Sequence, residues 1–275
     1  MATRHWVGPD GTQSFQNNAC WSATRGGAGG ASYPTGNDEA YIETGSAKIT
    51  QGMNNSAFTG TLYVSIDGSL SDVGTPFTSN CNRITVARVG AETYLAAETA
   101  VTELNIYDAS IASVSWMSGK ATAIYLGESG LFNMPGGTSD ALYSAGMGSI
   151  VAGAVAEANI YDGNHEFTAS VVTMNVYDGF VAVVGKAGIT DGAGGGFLSV
   201  YGGTYNHRSS GIIDFIDAYP GAVCTASGAS APFVITGGNR WVGASYFDNS
   251  PVSITGTGAT SPGRSARACD RGSCG

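Results

Sequence analysis

Three aspartates are the residues of this chain whose positions best suggest chemistry. Asp108, Asp162 and Asp178 each follow a tyrosine, in the segments LNIYDA, ANIYDG and MNVYDG. Hydrolysis of a glycosidic bond needs two carboxyl groups about 5 to 9.5 Å apart. An aspartate before glycine or alanine is, however, ordinary turn chemistry. We therefore expect these side chains to form turns, and we predict that the protein is not an enzyme.

The other reactive residue types form no recognisable catalytic or metal site. His165 and His207 each stand alone, and no Ser-His-Asp order, phosphate loop or metal-ligand spacing is present. The five cysteines fit no zinc spacing. We expect no cofactor and no metal. We expect the cysteines to be free thiols, and the alternative is a local disulfide between the last two. The five cysteines are Cys20, Cys81, Cys224, Cys269 and Cys274.

The tyrosines give the spacing of the elements that carry these aspartates. The first three intervals between them are equal, the fourth is slightly shorter and the fifth is longer; the set is Tyr107, Tyr125, Tyr143, Tyr161, Tyr177 and Tyr201. Equal intervals with glycine turns between short apolar runs indicate a repeat of one structural unit. We predict a coil of about eighteen residues.

Alternating residues of each repeat divide into two faces. One face is branched and apolar, and we expect it to stack as the core; it holds Ile106, Ile124, Leu142, Ile160 and Val176. This pattern predicts an all-β fold, a parallel β-solenoid, with a right-handed β-helix favoured over a left-handed one. A β-sandwich is the alternative, but it does not explain the equal intervals.

We call the row of six tyrosines the tyrosine stripe, and three interpretations of its place in the fold are open. Outward rings would form an apolar patch, which a homotrimer could bury. A host surface glycan could stack on the same rings. The tyrosines could instead form a stacked ladder inside the coil.

Composition and charge exclude several classes of protein. The chain has 42 glycines, 12% charged residues and a net charge of −9, which disfavour both disorder and a nucleic-acid partner. No apolar run is long enough to span a bilayer, so we expect no membrane partner. The first residues lack a signal-peptide pattern, and we expect assembly in a cytoplasm.

The N-terminal segments HWVGPDGTQSF and CWSATRGGAGGASYPTGNDEAYI carry a recognisable motif. They resemble the opening of phage virion proteins and bacterial surface β-solenoids, although Phe15 stands where Trp is usual and Cys20 where Asn is usual. The resemblance implies a cap over the open end of the solenoid. The matching positions are Trp6, Gly8, Gly11, Phe15, Trp21, Ser22, Pro34, Thr35 and Asp38.

These features predict three segments: a cap over 1–44, solenoid repeats over 45–258 and a tail over 259–275. The tail contains Arg264, Arg267 and Arg271. Such a segment is either a solvated tail or a basic peptide that clamps an acidic neighbouring subunit.

Together with the resemblance, these expectations favour a structural virion protein of a bacteriophage. The narrower prediction is a capsid decoration or cement protein on the virion surface, trimeric and bound to the major capsid protein or another virion protein. The alternative is a tail-associated adhesin that binds host glycans, and the third interpretation is a polysaccharide depolymerase.

Overall fold

A computed structural model gives the architecture of the chain. The residues that it describes are 1–9, 11–43, 47–51, 57–71, 74–108, 113–146, 149–226, 234–237, 239–241, 245–247 and 253–254. The three tail arginines, Cys269 and Cys274 lie outside these ranges, as do the predicted segment borders at 44/45 and 258/259.

The chain forms two compact units, residues 1–154 and 155–275. Nearly all regular structure in both is β-strand, and the ranges described contain a single 3-10 turn, Asn18–Cys20, and no α-helix. Each unit is a parallel β-solenoid, which confirms the predicted fold class. The handedness of the coil stays a prediction.

The described strands of the first unit run from the N-terminus to residue 151. They are β1 (Thr3–Trp6), β2 (Gly11–Ser14), β3 (Trp21–Ser22), β4 (Glu39–Ile42), β5 (Ala47–Gln51), β6 (Thr61–Ser65), β7 (Phe77–Thr78), β8 (Arg83–Arg88), β9 (Thr93–Asp108), β10 (Val114–Ser129), β11 (Phe132–Met134), β12 (Thr138–Ser144) and β13 (Ser149–Val151).

The second unit contains the remaining described strands. They are β14 (Ala154–Ile160), β15 (Asn164–Phe167), β16 (Val171–Val176), β17 (Phe180–Gly185), β18 (Phe197–Val200), β19 (Thr204–Ser209), β20 (Ile212–Ile213), β21 (Phe215–Ala218), β22 (Val223–Thr225), β23 (Val234–Ile235), β24 (Asn239–Trp241), β25 (Ser245–Phe247) and β26 (Ser253–Ile254).

Long strands define the coil of the first unit. β9 and β10 have 16 residues each, and they pair in parallel along most of their length. The first half of β9 also pairs with β7, and its second half pairs with β8. Each of these two strands therefore runs through two adjoining walls of its own coil.

Branched apolar side chains fill the interior, as their alternation predicts. Ile106, Ile124, Leu142, Ile160 and Val176 are all fully buried. Ile124 pairs with Leu142, and Ile160 with Val176. Burying one such side chain contributes about 1.5 to 3 kcal/mol, so the stack is a main source of stability.

The predicted contact between Ile106 and Ile124 is wrong in register. Ile124 pairs with Leu104, and Leu126 pairs with Ile106, because the coil between these strands is two residues longer than the tyrosine spacing suggests. The extra residues precede Val114, because Val114 already pairs with Thr93 at a wider offset than that between Phe132 and Val114. The two isoleucines are both interior, but they lie two positions apart along the wall.

Three parallel columns of strands form the second unit. The first contains β14, β16, β18, β21 and β24, and the second contains β15, β17, β19, β22 and β25. The third runs through Ile189, Ile213 and Ile235. Residues 190–196 form an enlarged corner between Ile189 and β18, where Asp191 Oδ1 accepts hydrogen bonds from the amides of Ala193 and Gly195.

Aromatic side chains close the beginning of the first unit, at the positions of the N-terminal motif. Phe15 packs against Trp21, Phe58 and Phe77 with ring centroids 4.9 to 5.9 Å apart, and Trp21 Nε1 donates to the carbonyl of Phe15. β1 continues the coil by pairing in parallel with β4, while β3 folds back antiparallel to β1. Phe15 and Trp21 are fully buried in this cluster, and the role of the segment as a cap stays a prediction.

Two small features hold this aromatic cluster in place. A side chain at Gly8 would place its Cβ 2.6 Å from the ring of Trp6, so the chain passes where only glycine fits. Asp38 accepts hydrogen bonds from the amides of Ala2 and Thr35. Burial raises the pKa of Asp38, but these bonds and the charges of Arg4 and the N-terminus outweigh it, and the pKa is lowered overall.

The described cysteines are free and buried, namely Cys20, Cys81 and Cys224. Burial raises the pKa of both Cys81 and Cys224 to about 12, so these thiols stay protonated and unreactive.

Candidate binding face

The first strand column of the second unit presents a row of tyrosines. β14, β16, β18 and β21 pair in register, and a tyrosine follows each of them directly. The amides of these tyrosines continue the ladder, since Tyr177 donates to the carbonyl of Ile160 and Tyr201 to that of Val176. We call this set the tyrosine ladder; it consists of Tyr161, Tyr177, Tyr201 and Tyr219.

The rings of the ladder stack face to face. Ring centroids are 5.0 Å apart between Tyr161 and Tyr177, 5.0 Å between Tyr177 and Tyr201, and 4.7 Å between Tyr201 and Tyr219. The planes of successive rings differ by only 8 to 14°. The separation equals the spacing of neighbouring strands, so the backbone register imposes the stack.

The ladder faces outward. Tyr161, Tyr177 and Tyr201 are 48%, 42% and 40% exposed, whereas Ile160 and Val176 beside them are fully buried. The interpretation that placed the tyrosines inside the coil is therefore wrong. Tyr177 and Tyr201 bury both ring faces against their neighbours in the ladder and remain exposed at the ring edge.

In the first unit, Tyr125 and Tyr143 form a shorter stack of the same kind. Their centroids are 5.0 Å apart and their planes differ by 10°. Tyr107, which the equal spacing placed in the same row, does not align with them. Tyr125 pairs with Asn105, so Tyr107 is displaced by two residues along the wall. Asp108, directly after Tyr107, is the last residue of β9 and lies in the strand instead of the expected turn.

Tyr219 belongs to the ladder, although the row of tyrosines predicted from the sequence ends at Tyr201. It precedes Pro220 and Gly221, in the order tyrosine, any residue, glycine that Tyr161, Tyr177 and Tyr201 also show. That three-residue pattern would have found it.

Aspartate and glycine form the turns directly after the ladder. Asp162 Oδ1 accepts from the amide of Gly163 at 2.6 Å, and Asp178 Oδ1 accepts from the amide of Gly179 at 2.8 Å. Gly163 and Gly179 have φ of 96° and 79°, which favour glycine. The expected turn role of these two aspartates is confirmed, and their carboxylates remain exposed.

A polar column runs beside the ladder on the same face. Asn175 Nδ2 donates to Asn159 Oδ1 at 3.0 Å, and Asn159 Nδ2 donates to Glu157 Oε1 at 2.8 Å. Ser199 continues this column and is only 4% exposed. These short, mutually bonded side chains lie lower than the rings, so the ladder stands out as a ridge.

The hydroxyl group of Tyr177, in the middle of the ladder, stays protonated at neutral pH. The pKa of Tyr177 is raised, first by burial and then by Tyr201, Tyr161 and Glu157 nearby. A row of phenols about 5 Å apart therefore offers both donors and acceptors of hydrogen bonds.

Neither histidine singled out by the sequence lies on this face. His165 and His207 are fully buried inside the second unit. His207 Nε2 donates to the carbonyl of Gly211 at 2.9 Å, which leaves Nδ1 to accept from the hydroxyl of Tyr205 at 2.9 Å. Burial lowers the pKa of both histidines, so they are structural groups in the neutral form.

A shallow pocket of about 350 Å³ lies in the first unit, lined by Thr61, Asn82, Arg83, Thr102 and Glu103. Its charges cancel, because Arg83 Nε bonds Glu103 Oε2 at 2.6 Å. This mutual bond raises the pKa of Arg83 and lowers that of Glu103. Arg83 and Glu103 therefore leave no unpaired charge in this pocket for a ligand to bind.

Within the described ranges, no group of three or more His, Cys, Asp or Glu side chains could hold a metal ion. No helix there is long and apolar enough to cross a membrane. Comparison of the chain with protein-family profiles, with curated proteins and with solved structures found no match.

Proposed function

We propose that the protein is a structural component of a bacteriophage particle, a decoration or cement protein on the capsid surface. It is assembled in the host cytoplasm as a homotrimer and binds the major capsid protein or another virion protein. The observation that carries the proposal is the exposed tyrosine ladder on a rigid parallel solenoid.

The geometry of the ladder supports binding to protein more than binding to sugar. Stacking of a sugar on an aromatic side chain uses the face of the ring, and the faces between successive ladder tyrosines are already covered. The exposed edges of Tyr161, Tyr177 and Tyr201 instead form a ridge with a regular repeat. Such a ridge suits an extended protein surface, where tyrosines contribute apolar area and hydrogen bonds together.

The aromatic cluster at the beginning of the chain gives independent support. Trp6, Phe15 and Trp21 are buried together, as the cap motif of the resembling virion proteins implies. A closed end prevents strand addition from other chains, which a protein displayed at high density on a particle needs.

Quantitative mass spectrometry of purified particles tests the proposal. We expect on the order of hundreds of copies per particle, as the repeated symmetry of a capsid requires. About a dozen copies would instead support the tail-associated adhesin, since tails have few equivalent positions. Absence of the protein from particles would refute a virion role.

A pair of variants tests the use of the ladder. Replacing Tyr177 and Tyr201 together by serine should abolish assembly into trimers and binding to capsids, measured by light scattering and by co-sedimentation. The matched control is Tyr107→Ser, because Tyr107 is 55% exposed but outside the ladder. Equal loss in both variants would contradict the assignment.

The absence of enzymatic activity is part of the proposal. Host surface polysaccharide incubated with the protein should release no reducing ends and no unsaturated sugars. Release that disappears in an Asp162→Asn variant would overturn it, because the amide keeps the turn but removes the carboxylate.

A further inference from the structure

Two unpaired carboxylates accompany the tyrosine ladder. Asp162 and Asp178 are exposed, and each uses one oxygen for the turn hydrogen bond to the following glycine. The ion pairs found among the described residues involve neither of them. We call the ladder together with Asp162 and Asp178 the acid–tyrosine face.

This charge disfavours contact of the face with its own copy. Packing two such faces about a twofold axis would bring Asp162 and Asp178 of one chain near those of the other. Like charges brought together without solvent repel each other and disfavour such a contact. The face therefore selects a cationic occupant.

The chain itself contains a segment of that chemistry. Arg264, Arg267 and Arg271 are three of only twelve basic residues in a chain of net charge −9. Between Arg264 and Arg271 the remaining residues are small or polar, in the run RSARACDR; Asp270 is the one acidic residue among them, so the segment keeps a net positive charge.

Arginine matches both components of the face. Its guanidinium group donates two parallel hydrogen bonds to a carboxylate, and its remaining donors can reach tyrosine hydroxyl oxygens. Two arginines three residues apart reach about 10 Å when the chain is extended. This is about two steps of the ladder, whereas Asp162 and Asp178 lie one step apart, so one arginine binds a carboxylate while the next lies over ladder tyrosines of another coil.

We propose that residues 264–271 of one copy bind the acid–tyrosine face of a second copy. The inference rests on the proposed role of the ladder as a protein-binding face, and it identifies the partner at that face. The contact joins different surfaces of the two chains. Repeated around a threefold axis, such contacts close into a ring without any pairing of like surfaces.

Neutralising variants of the full chain test the contact. Arg264→Gln, Arg267→Gln and Arg271→Gln combined should weaken self-association at least about tenfold, and Asp162→Asn with Asp178→Asn should do the same. Asparagine still accepts the turn hydrogen bonds, so the fold is kept. Lys186→Gln is the matched control, because Lys186 is exposed in the same unit but lies outside the face. Association should also weaken as ionic strength rises from about 0.05 to about 0.5 M.

A mixing experiment distinguishes binding between copies from binding within one chain. The arginine variant keeps an intact face, and the aspartate variant keeps an intact segment. Mixed at equal concentration, the two monomeric variants should form one-to-one complexes, detected by light scattering or native mass spectrometry.

Every outcome of these experiments either supports or overturns the proposed contact. Complexes in the mixture support the proposal, whereas monomers in the mixture, a monomeric parent protein, or undiminished association of the variants would overturn it. Particle incorporation is measured separately. A protein that associates in this way but is missing from particles would refute the virion role alone.

Discussion

Substitution of Gly179 by alanine tests the stacked turns behind the tyrosine ladder. Gly179 has φ of 79°, and an added Cβ would lie 2.5 Å from the carbonyl oxygen and 2.7 Å from the amide nitrogen of Gly163 on the neighbouring coil. Gly192 provides a matched control. Its φ is 80°, but nothing lies within 4 Å of a Cβ added there.

Both substitutions carry a cost in backbone strain, and only Gly179→Ala adds a steric overlap with the neighbouring coil. Forcing alanine into the left-handed region costs about 1 to 2 kcal/mol at either position. At Gly179 the overlap with backbone adds about 1 to 3 kcal/mol, because the neighbouring coil must move. Any gain from a less flexible unfolded chain is the same for both and cancels in the comparison. We expect a loss of about 2 to 5 kcal/mol for Gly179→Ala and about 1 to 2 kcal/mol for Gly192→Ala.

Thermal unfolding followed by circular dichroism measures the difference. In a chain of this length, 1 kcal/mol corresponds to about 2 to 4 °C in Tm, so Gly179→Ala should melt clearly below Gly192→Ala. Equal melting temperatures would refute the claim that close coil stacking makes glycine necessary at 179.

Three further variants address other parts of the chain. Ile124→Asp buries an unpaired charge in the core and should cost on the order of 5 kcal/mol, seen as insoluble or unfolded protein; a soluble variant with unchanged melting would contradict the core assignment. Gly8→Ala should lower Tm because its Cβ meets the ring of Trp6; melting at the parent temperature would show that the cap tolerates the side chain. Burial lowers the pKa of His165 and His207 in the folded state, so stability is complete above the unfolded value of about 6.5 and falls as pH drops below it. The slope of Tm between about pH 7 and pH 5 should therefore be smaller in the His165→Gln/His207→Gln double variant than in the parent, and an unchanged slope would disprove the linkage.

The repeat could be predicted because its signals are local. Alternation of Leu104, Ile106 and their counterparts with polar residues identifies the inner and outer faces of each strand. The aspartate–glycine turns after β14 and β16 are equally local, so the roles of Asp162 and Asp178 followed from two adjacent residues.

Register between coils was harder to predict because it depends on the whole contour of a coil. Tyr107 and Tyr125 are spaced like Tyr125 and Tyr143, yet the coil joining the strands of the first two needs two more residues to close. Equal spacing therefore placed Tyr107 in the wrong row.

Exposure of the tyrosines could not be derived from spacing alone. A stacked aromatic row is stable on either side of a coil wall, because the strand spacing sets its geometry in both cases. The deciding factor is that Ile160, Val176 and Val200 occupy the interior beside the ladder tyrosines, which requires the fully assembled coil.

The enlarged corner at residues 190–196 shows that one coil of this fold can hold additional residues without a change in the register of the ladder. Successive ladder tyrosines are separated by unequal lengths of chain, yet their rings keep separations of 5.0, 5.0 and 4.7 Å. The longest step, from Tyr177 to Tyr201, places its additional residues outside the coil wall, where Asp191 closes them on themselves. A foreign peptide inserted between Gly192 and Ala193 would therefore lengthen this excursion and leave the neighbouring rows aligned. The corner is a natural grafting position, from which an unrelated sequence could be displayed beside an unchanged aromatic ridge.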